Sequence, residues 1–210
     1  MEHGKCMIEV KQIKVGSMQN FSYLVFDAAE LEGAIVDPSF DSSMAVSEAS
    51  RHGVKLKYIL LTHHHFDHVQ DAEKLALQKG AKIVAHSSSP HRKDIAVDDG
   101  SHLSLGKSTI QVIYTPGHTE DSCCYLVDGK LFTGDTLFVG ECGRVDLEDS
   151  SPESMFESLI VKLGALDDRT VVYPGHDYGV TPFSTIGEEK KNNYTMEKRT
   201  KDEFLKFITS

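Results

Sequence analysis

Thr62-His63-His64-His65-Phe66-Asp67-His68 places four histidines and an aspartate within seven residues, directly after the apolar run Tyr58-Ile59-Leu60-Leu61. Imidazole and carboxylate are the ligands that zinc, iron and manganese accept, and neutral imidazoles crowd together stably when a cation holds them. The spacing also indicates the backbone that presents them. His63 and His65 stand two apart and share one side of an extended strand end, because alternate residues there point the same way. In a helix the same pair would diverge by about 200°, and the helical zinc grip H-E-x-x-H sets its ligands four apart instead. The expectation is a metal-binding loop that leaves a strand.

On either side of this loop the chain alternates strand and helix signals. Ile8 to Val15, Phe21 to Phe26 and Gly33 to Pro38 read as successive strands separated by turn residues. Ser42 to His52 carries apolar residues at helical spacing and stops at Gly53, ahead of the strand Lys57 to Leu61. Asp71 to Gln78 reads as a helix ended by Gly80, and Lys82 to Ala85 as a strand before a Ser-rich loop with Pro90. Ile110 to Tyr114, Ser122 to Val127 and Lys130 to Thr133 form a strand meander, with Asp128-Gly129 as a hairpin turn. A helix over Ser151 to Leu166, with Pro152 in its first turn, precedes a short strand over Thr170 to Tyr173. Glu188 to Ser210 reads as one amphipathic helix. Mixed strands and helices in this order predict stacked sheets clothed by helices, an α/β (α+β) class.

The chain has 210 residues, enough for one domain with a full core, and no linker or repeat divides it, so residues 1–210 are expected to form a single domain. Hydrophobic residues at 40% and charged residues at 26% are ordinary for a globular protein and exclude disorder and fibre. The formal charge of −10, without any face rich in Lys and Arg, argues against nucleic acid as a partner. No apolar run approaches the roughly 20 residues of a membrane span, and Met1-Glu2-His3-Gly4-Lys5-Cys6 lacks a signal-peptide core, which predicts a cytoplasmic protein. Cys6, Cys123, Cys124 and Cys142 offer no disulfide framework and are expected to be reduced.

Three further candidates end short apolar segments: His118 in Thr115-Pro116-Gly117-His118, Asp135 in Phe132-Thr133-Gly134-Asp135, and His176 in Tyr173-Pro174-Gly175-His176. Each follows a glycine, the residue that lets a backbone turn sharply and approach a neighbour closely. One device used three times at strand exits points to convergence on one site. The string His63-x-His65-x-Asp67-His68, followed by Gly117-His118, Gly134-Asp135 and Gly175-His176, resembles the metallo-β-lactamase superfamily, and in particular its glyoxalase II-like branch. The match in motif and order runs from about residue 8 to 180. The resemblance implies a four-layer αββα sandwich with the metal site at one edge between the sheets. It implies two divalent metal ions: His63, His65 and His118 on the first, Asp67, His68 and His176 on the second, and Asp135 bridging. Zinc is the first expectation, with iron or manganese as alternatives, since His and Asp suit all of them.

Two dications that share a carboxylate leave room for a water whose pKa falls from about 16 toward 7, so hydroxide is available at neutral pH. The resemblance to the glyoxalase II-like branch then implies metal-dependent hydrolysis of a small-molecule thioester, a hydroxyacylglutathione or related acyl-thiol, with Asp67 and Asp135 as the catalytic carboxylates. A metal-stabilised scaffold would need closed coordination, whereas seven protein ligands around two ions leave positions open. His64 is read as a neighbour of the ligands or a solvent-facing residue. His3, His52, His86, His91 and His102 are read as surface or structural.

Position 68 separates branches, because His is typical there of glyoxalase II-like proteins and other residues are typical of common β-lactamases. Cys142-Gly143-Arg144-Val145-Asp146 and His176-Asp177-Tyr178 are also similar to strings in persulfide dioxygenases, which oxidise glutathione persulfide with one iron. That reaction is the alternative reading. Arg144, Tyr178 and Cys142 are the candidate substrate-binding residues: a guanidinium can fork onto a carboxylate, a phenol can donate beside the metal, and a thiol can touch substrate. Only 34 residues follow His176, which leaves the longer helical glutathione-binding extension of full-length glyoxalase II without a counterpart and puts glutathione recognition in question. Lys190, Lys191, Lys198 and Arg199 remain as charge near a substrate or as a solvated face. Oligomeric state is not legible.

Overall fold

The computed structural model describes residues 8–209, so the readings of His3 and Cys6, and the last residue of the terminal helix, Ser210, lie outside the described residues. β1 (Ile8–Val15) and β2 (Asn20–Asp27) form an antiparallel hairpin with Val15 opposite Asn20, and β3 (Glu32–Val36) adds antiparallel to β2. The chain then crosses over through α1 (Ser43–Arg51) to β4 (Lys55–Leu60), and through α2 (Phe66–Val69) and α3 (Ala72–Lys79) to β5 (Lys82–His86). These crossovers are what parallel pairing requires, and β3, β4, β5 and β6 (Ile95–Val97) pair in parallel.

The second sheet begins with β7 (His102–Leu105), β8 (Ser108–Tyr114), β9 (Cys123–Val127) and β10 (Lys130–Gly134), an antiparallel meander. A crossover through α4 (Pro152–Phe156) brings β11 (Val171–Pro174) parallel to β10, and β12 (Ser184–Thr185) closes that edge. α5 (Ile186–Asn192) and α6 (Lys201–Ile208) follow. Among the described residues, no helix is long and apolar enough to cross a membrane.

Period-two alternation divides the apolar residues among three cores. In β2, Tyr23 and Val25 face the second sheet while Leu24 and Phe26 face α1 and α3; the strand is buried along its whole length. Such a strand reads as a continuous apolar run because both faces are covered. The third core lies outside the second sheet, where Cys124, Leu131 and Val172 meet Met155, Leu159, Ile186 and Phe204 from the helices. The layers are thus helix, sheet, sheet, helix, the four-layer sandwich that the resemblance implies. Cys123 faces the inner core and Cys124 the outer one, so these neighbours are free thiols on opposite sides of β9.

Three readings are corrected. Asp67 and His68 lie on the single-turn α2 rather than in an irregular loop, while His63 and His65 precede it. The helix expected over 188–210 is broken: α5 ends before Asn193, whose side chain accepts from the Thr195 amide and starts a separate 3-10 turn, and a Thr200–Glu203 capping box starts α6. The segment from Ser151 to Leu166 begins as expected, with Ser151 capping the Ser154 amide, but widens to π geometry over Glu157–Lys162 and tightens to 3-10 over Leu163–Ala165. Short strands β6, β7 and β12 carried too few residues to show a period. Phe132, on β10, is 1% exposed and meets the rings of Tyr23 and Tyr173 at 5.1 and 5.3 Å across the inner core. Phe132→Ala is expected to lower stability by about 3–5 kcal/mol in urea unfolding; a loss below about 1 kcal/mol would mean that the two sheets close over the cavity.

Candidate metal centre

Sheet topology delivers the donors. β8 and β10 both run antiparallel to β9, and β11 runs parallel to β10, so three strands end at one edge of the second sheet. His118, Asp135 and His176 follow those ends, and His63 follows the end of β4 in the first sheet. Two glycines make the approach possible. Gly134 has φ +49°, and a Cβ there would run into the Thr62 hydroxyl; a Cβ on Gly175 would run into the Asp135 carboxylate. The segment at His176 also joins the sheets, because the Phe21 amide donates to the Gly175 carbonyl and the Asp177 amide to the Gln19 carbonyl, both at 2.8 Å.

A backside partner aims most of the rings. His68 Nδ1–H donates to Asp37 (3.0 Å), His118 Nδ1–H to the Arg144 carbonyl (2.9 Å), His176 Nδ1–H to the Met18 carbonyl (2.9 Å), and His63 Nδ1–H to the Thr62 hydroxyl (3.1 Å). The Thr62 hydroxyl donates onward to Asp37 at 2.7 Å. With Nδ1 so engaged, each of these four imidazoles turns Nε2 toward the centre as the atom that can ligate. His65 turns Nδ1 inward instead, 3.2 Å from His63 Nε2 and 3.1 Å from His118 Nε2.

The donors fall into two sets. His63, His65 and His118 form one, Asp67, His68 and His176 form the other, and His63, His68 and Asp135 make a third group that straddles them. Asp135 stands between them, 3.5 Å from His118, 3.3 Å from His68 and 3.3 Å from His176. Asp67 lies 3.5 and 3.6 Å from the same nitrogens of His68 and His176. A tetrahedral ion with bonds of about 2.0–2.1 Å separates its ligands by roughly 3.3 Å. Lone pairs facing one another at that spacing repel unless a cation lies between them, and Asp135 Oδ1 is buried with no hydrogen-bond partner. The donor set fits divalent metal.

The electrostatics agree. Burial pushes the His63 imidazole well below its ordinary value, assisted by His68, which keeps it neutral and ready to ligate. Burial also pulls His68 down, but the carboxylates of Asp135, Asp37 and Asp67 outweigh it and raise the ring to about 9. Burial opposes ionisation of Asp135, yet His68, His176 and His63 hold it well below the usual carboxylate range.

All seven predicted donors come together. The three predicted substrate residues are placed differently. Tyr178 lies flat on His176, ring centroids 4.6 Å apart, and is half exposed; burial and then Asp135 and Asp67 push its phenol up, so it stays a donor at neutral pH. The Arg144 guanidinium is exposed and forks onto Asp146 at 2.6 and 2.7 Å, and it is the Arg144 carbonyl that serves the centre, through His118. Cys142 lies buried in the outer core; burial and then Glu141 push its thiol up to about 12. His64 is half buried, its Nδ1 2.7 Å from the buried Asp121. His86 stacks on Tyr114, and His102 is exposed on β7.

Residues the sequence reasoning missed are the supports. Asp37 accepts from the Thr62 amide, the Thr62 hydroxyl and His68, and Asn20 donates to Asp67 at 2.9 Å. Asp37 carried a signal, a polar residue before Pro38 at the end of an apolar run; Asn20 carried none. Gly175→Ala should lower metal affinity at least about tenfold, the scale of losing a supporting contact, read by chelator competition; unchanged affinity would show that Asp135 can move aside. Because a ligand must be unprotonated, metal uptake at pH 7 should release the His68 proton, and this release should vanish above pH about 9. Calorimetry in buffers of different ionisation enthalpy measures it, and no release at pH 7 would refute the protonation state given to His68.

A family model described as the metallo-beta-lactamase superfamily matches residues 15–176. The "Probable polyketide biosynthesis zinc-dependent hydrolase PksB" of Bacillus subtilis is 32% identical over 196 residues, covering 90% of this chain and 87% of that protein. The cytoplasmic hydroxyacylglutathione hydrolase of Arabidopsis thaliana is 36% identical over 189 residues, covering 86% of this chain and 72% of that protein. Among solved structures, ETHE1 from Myxococcus xanthus superimposes with a TM-score of 0.91 at 29% identity, covering 96% of this chain and 90% of that one. By the converging donors, the layered sheets and these likenesses, the chain belongs to the metallo-beta-lactamase superfamily.

Proposed function

We propose that this chain is a metal-dependent hydrolase that cleaves the thioester of a hydroxyacylglutathione or a related acyl-thiol. The observation that carries the reading is the pair of three-donor sets on either side of Asp135. Divalent cations, zinc first and iron or manganese next, supply Lewis acidity and lower the pKa of a water molecule when bound.

The chain's own residues do the rest. His63, His65 and His118 would hold one ion and Asp67, His68 and His176 the other, with Asp135 placed between the two sets. Asp37, Thr62, Met18 and Arg144 fix which ring nitrogen each histidine offers, so the site needs little rearrangement as charge develops. Tyr178, flat on His176 and half exposed, offers its hydroxyl to substrate at the rim. Arg144 reaches a substrate carboxylate only by leaving Asp146. The partner in this reading is a small-molecule thioester, with neither nucleic acid nor a membrane involved, and the setting is the cytoplasm.

A second reading is a mononuclear iron persulfide dioxygenase. The likeness to ETHE1 and the strings around Cys142-Gly143-Arg144 and His176-Asp177-Tyr178 favour it. It gives no task to the second donor set, Asp67, His68 and His176.

Protein purified without added metal should carry close to two metal ions per chain by elemental analysis and cleave thioesters. His118→Ala and Asp135→Ala should each lower turnover by more than about 100-fold, beyond the 10–100-fold typical of an outer-shell partner, while the circular dichroism spectrum is retained. One iron per chain with persulfide-dependent oxygen uptake and no thioester cleavage would move the protein to the dioxygenase reading.

A further inference from the structure

Beside the metal centre lies a groove of about 780 Å³, which begins at Tyr178. Its apolar wall is Tyr178, Val139, Val180 and Phe183, and Val180 and Phe183 are 99% and 51% exposed. Its charged lining is Glu141 and Glu188, together with the buried Glu189, whose carboxylate is occupied by the Gly140 amide and the Asn193 side chain. Among the described residues, no Lys or Arg lines it. Two nearby cations are turned elsewhere, Lys190 to Asp168 and the Leu166 carbonyl and Arg199 to Glu197 and the Tyr194 carbonyl, while Lys191 pairs with Glu188 at 3.9 Å and leaves Glu141 as the lining carboxylate without a cation beside it among the described residues.

A small hydroxyacyl group has no use for so large a groove, which falls in the range that encloses ligands of drug size. The larger arm of a thioester is its thiol carrier. We infer that this groove receives the thiol half of the substrate, and that its carboxylates select an uncharged or cationic thiol carrier, such as a pantetheine-type amide chain, over glutathione with its net negative charge. The inference rests on the thioester reading above and narrows it. Tyr178 marks the junction, since its ring stacks on His176 and it also lines the groove. Like charges roughly 6–8 Å apart at a wet surface change affinity by about threefold per pair, and salt screens them.

The test is calorimetric binding of three stable thioethers to the metal-loaded protein: S-hexylglutathione, its diethyl ester, which keeps the skeleton and removes the carboxylate charges, and S-hexylpantetheine. The ester and the pantetheine thioether should bind at least about fivefold more tightly than S-hexylglutathione at low salt. The gap should narrow in high salt and in Glu141→Gln and Glu188→Gln proteins, conservative changes that keep the Cys142 amide and Asn192 contacts available. Equal or tighter binding of S-hexylglutathione, a gap indifferent to both Gln changes, or no binding of any of the three would overturn the inference. Hydrolysis of the matching thioesters is assayed separately: its absence counts against the hydrolase reading, while the order of thioether binding still decides the groove.

Discussion

Burying the Asp135 carboxylate among imidazoles is the constraint around which the rest of the molecule is arranged. A charge withdrawn from water costs several kcal/mol unless partners surround it, and Asp135 finds them in His68, His118 and His176, each within 3.5 Å. Those rings in turn would scatter into rotamers without backside partners. Asp37, Met18 and Arg144 hold them, so the centre is a nest of hydrogen bonds pointed inward with its innermost lone pairs left for a cation.

The sandwich exists, in this sense, to bring strand ends together. Only a sheet in which β8, β10 and β11 run the same way sets His118, Asp135 and His176 at one edge, and only a second sheet stacked on the first sets the end of β4 opposite them. The apolar pattern that builds the inner core, with Tyr23, Tyr125 and Phe132 interleaved, therefore also fixes the distance across the site. Backbone pairing of Phe21 and Gln19 with the segment around His176 ties the two sheets where the donors meet.

Much of this was readable because the relevant periods are short. The two-residue spacing of His63 and His65 and the glycine ahead of His118, Asp135 and His176 are local signals, and the strand meander announced itself through Asp128-Gly129. The supports were invisible for the opposite reason: Asn20 acts on Asp67 across 47 positions, and Met18 on His176 across 158. Cys142 looked chemical because it sits next to Gly143 and Arg144, yet its side chain joins the outer core. The break at Asn193 was missed because one side-chain cap outweighed a helical pattern on both sides of it. Arg144 contributed through its carbonyl, an atom that every residue possesses and no sequence pattern advertises.

The order of the donors along the chain has a consequence for how the protein is made. His63, His65 and His118 are all available once the first half of the chain and β8 have been synthesised, whereas the second set waits for His176, some sixty residues later. β11 must also slot in beside β10 before His176 can face His68. Until Asp135 and the Gly175 turn are made, the first set consists of imidazoles alone. The complete donor set around Asp135 therefore exists only once His176 has been made and β11 has joined β10.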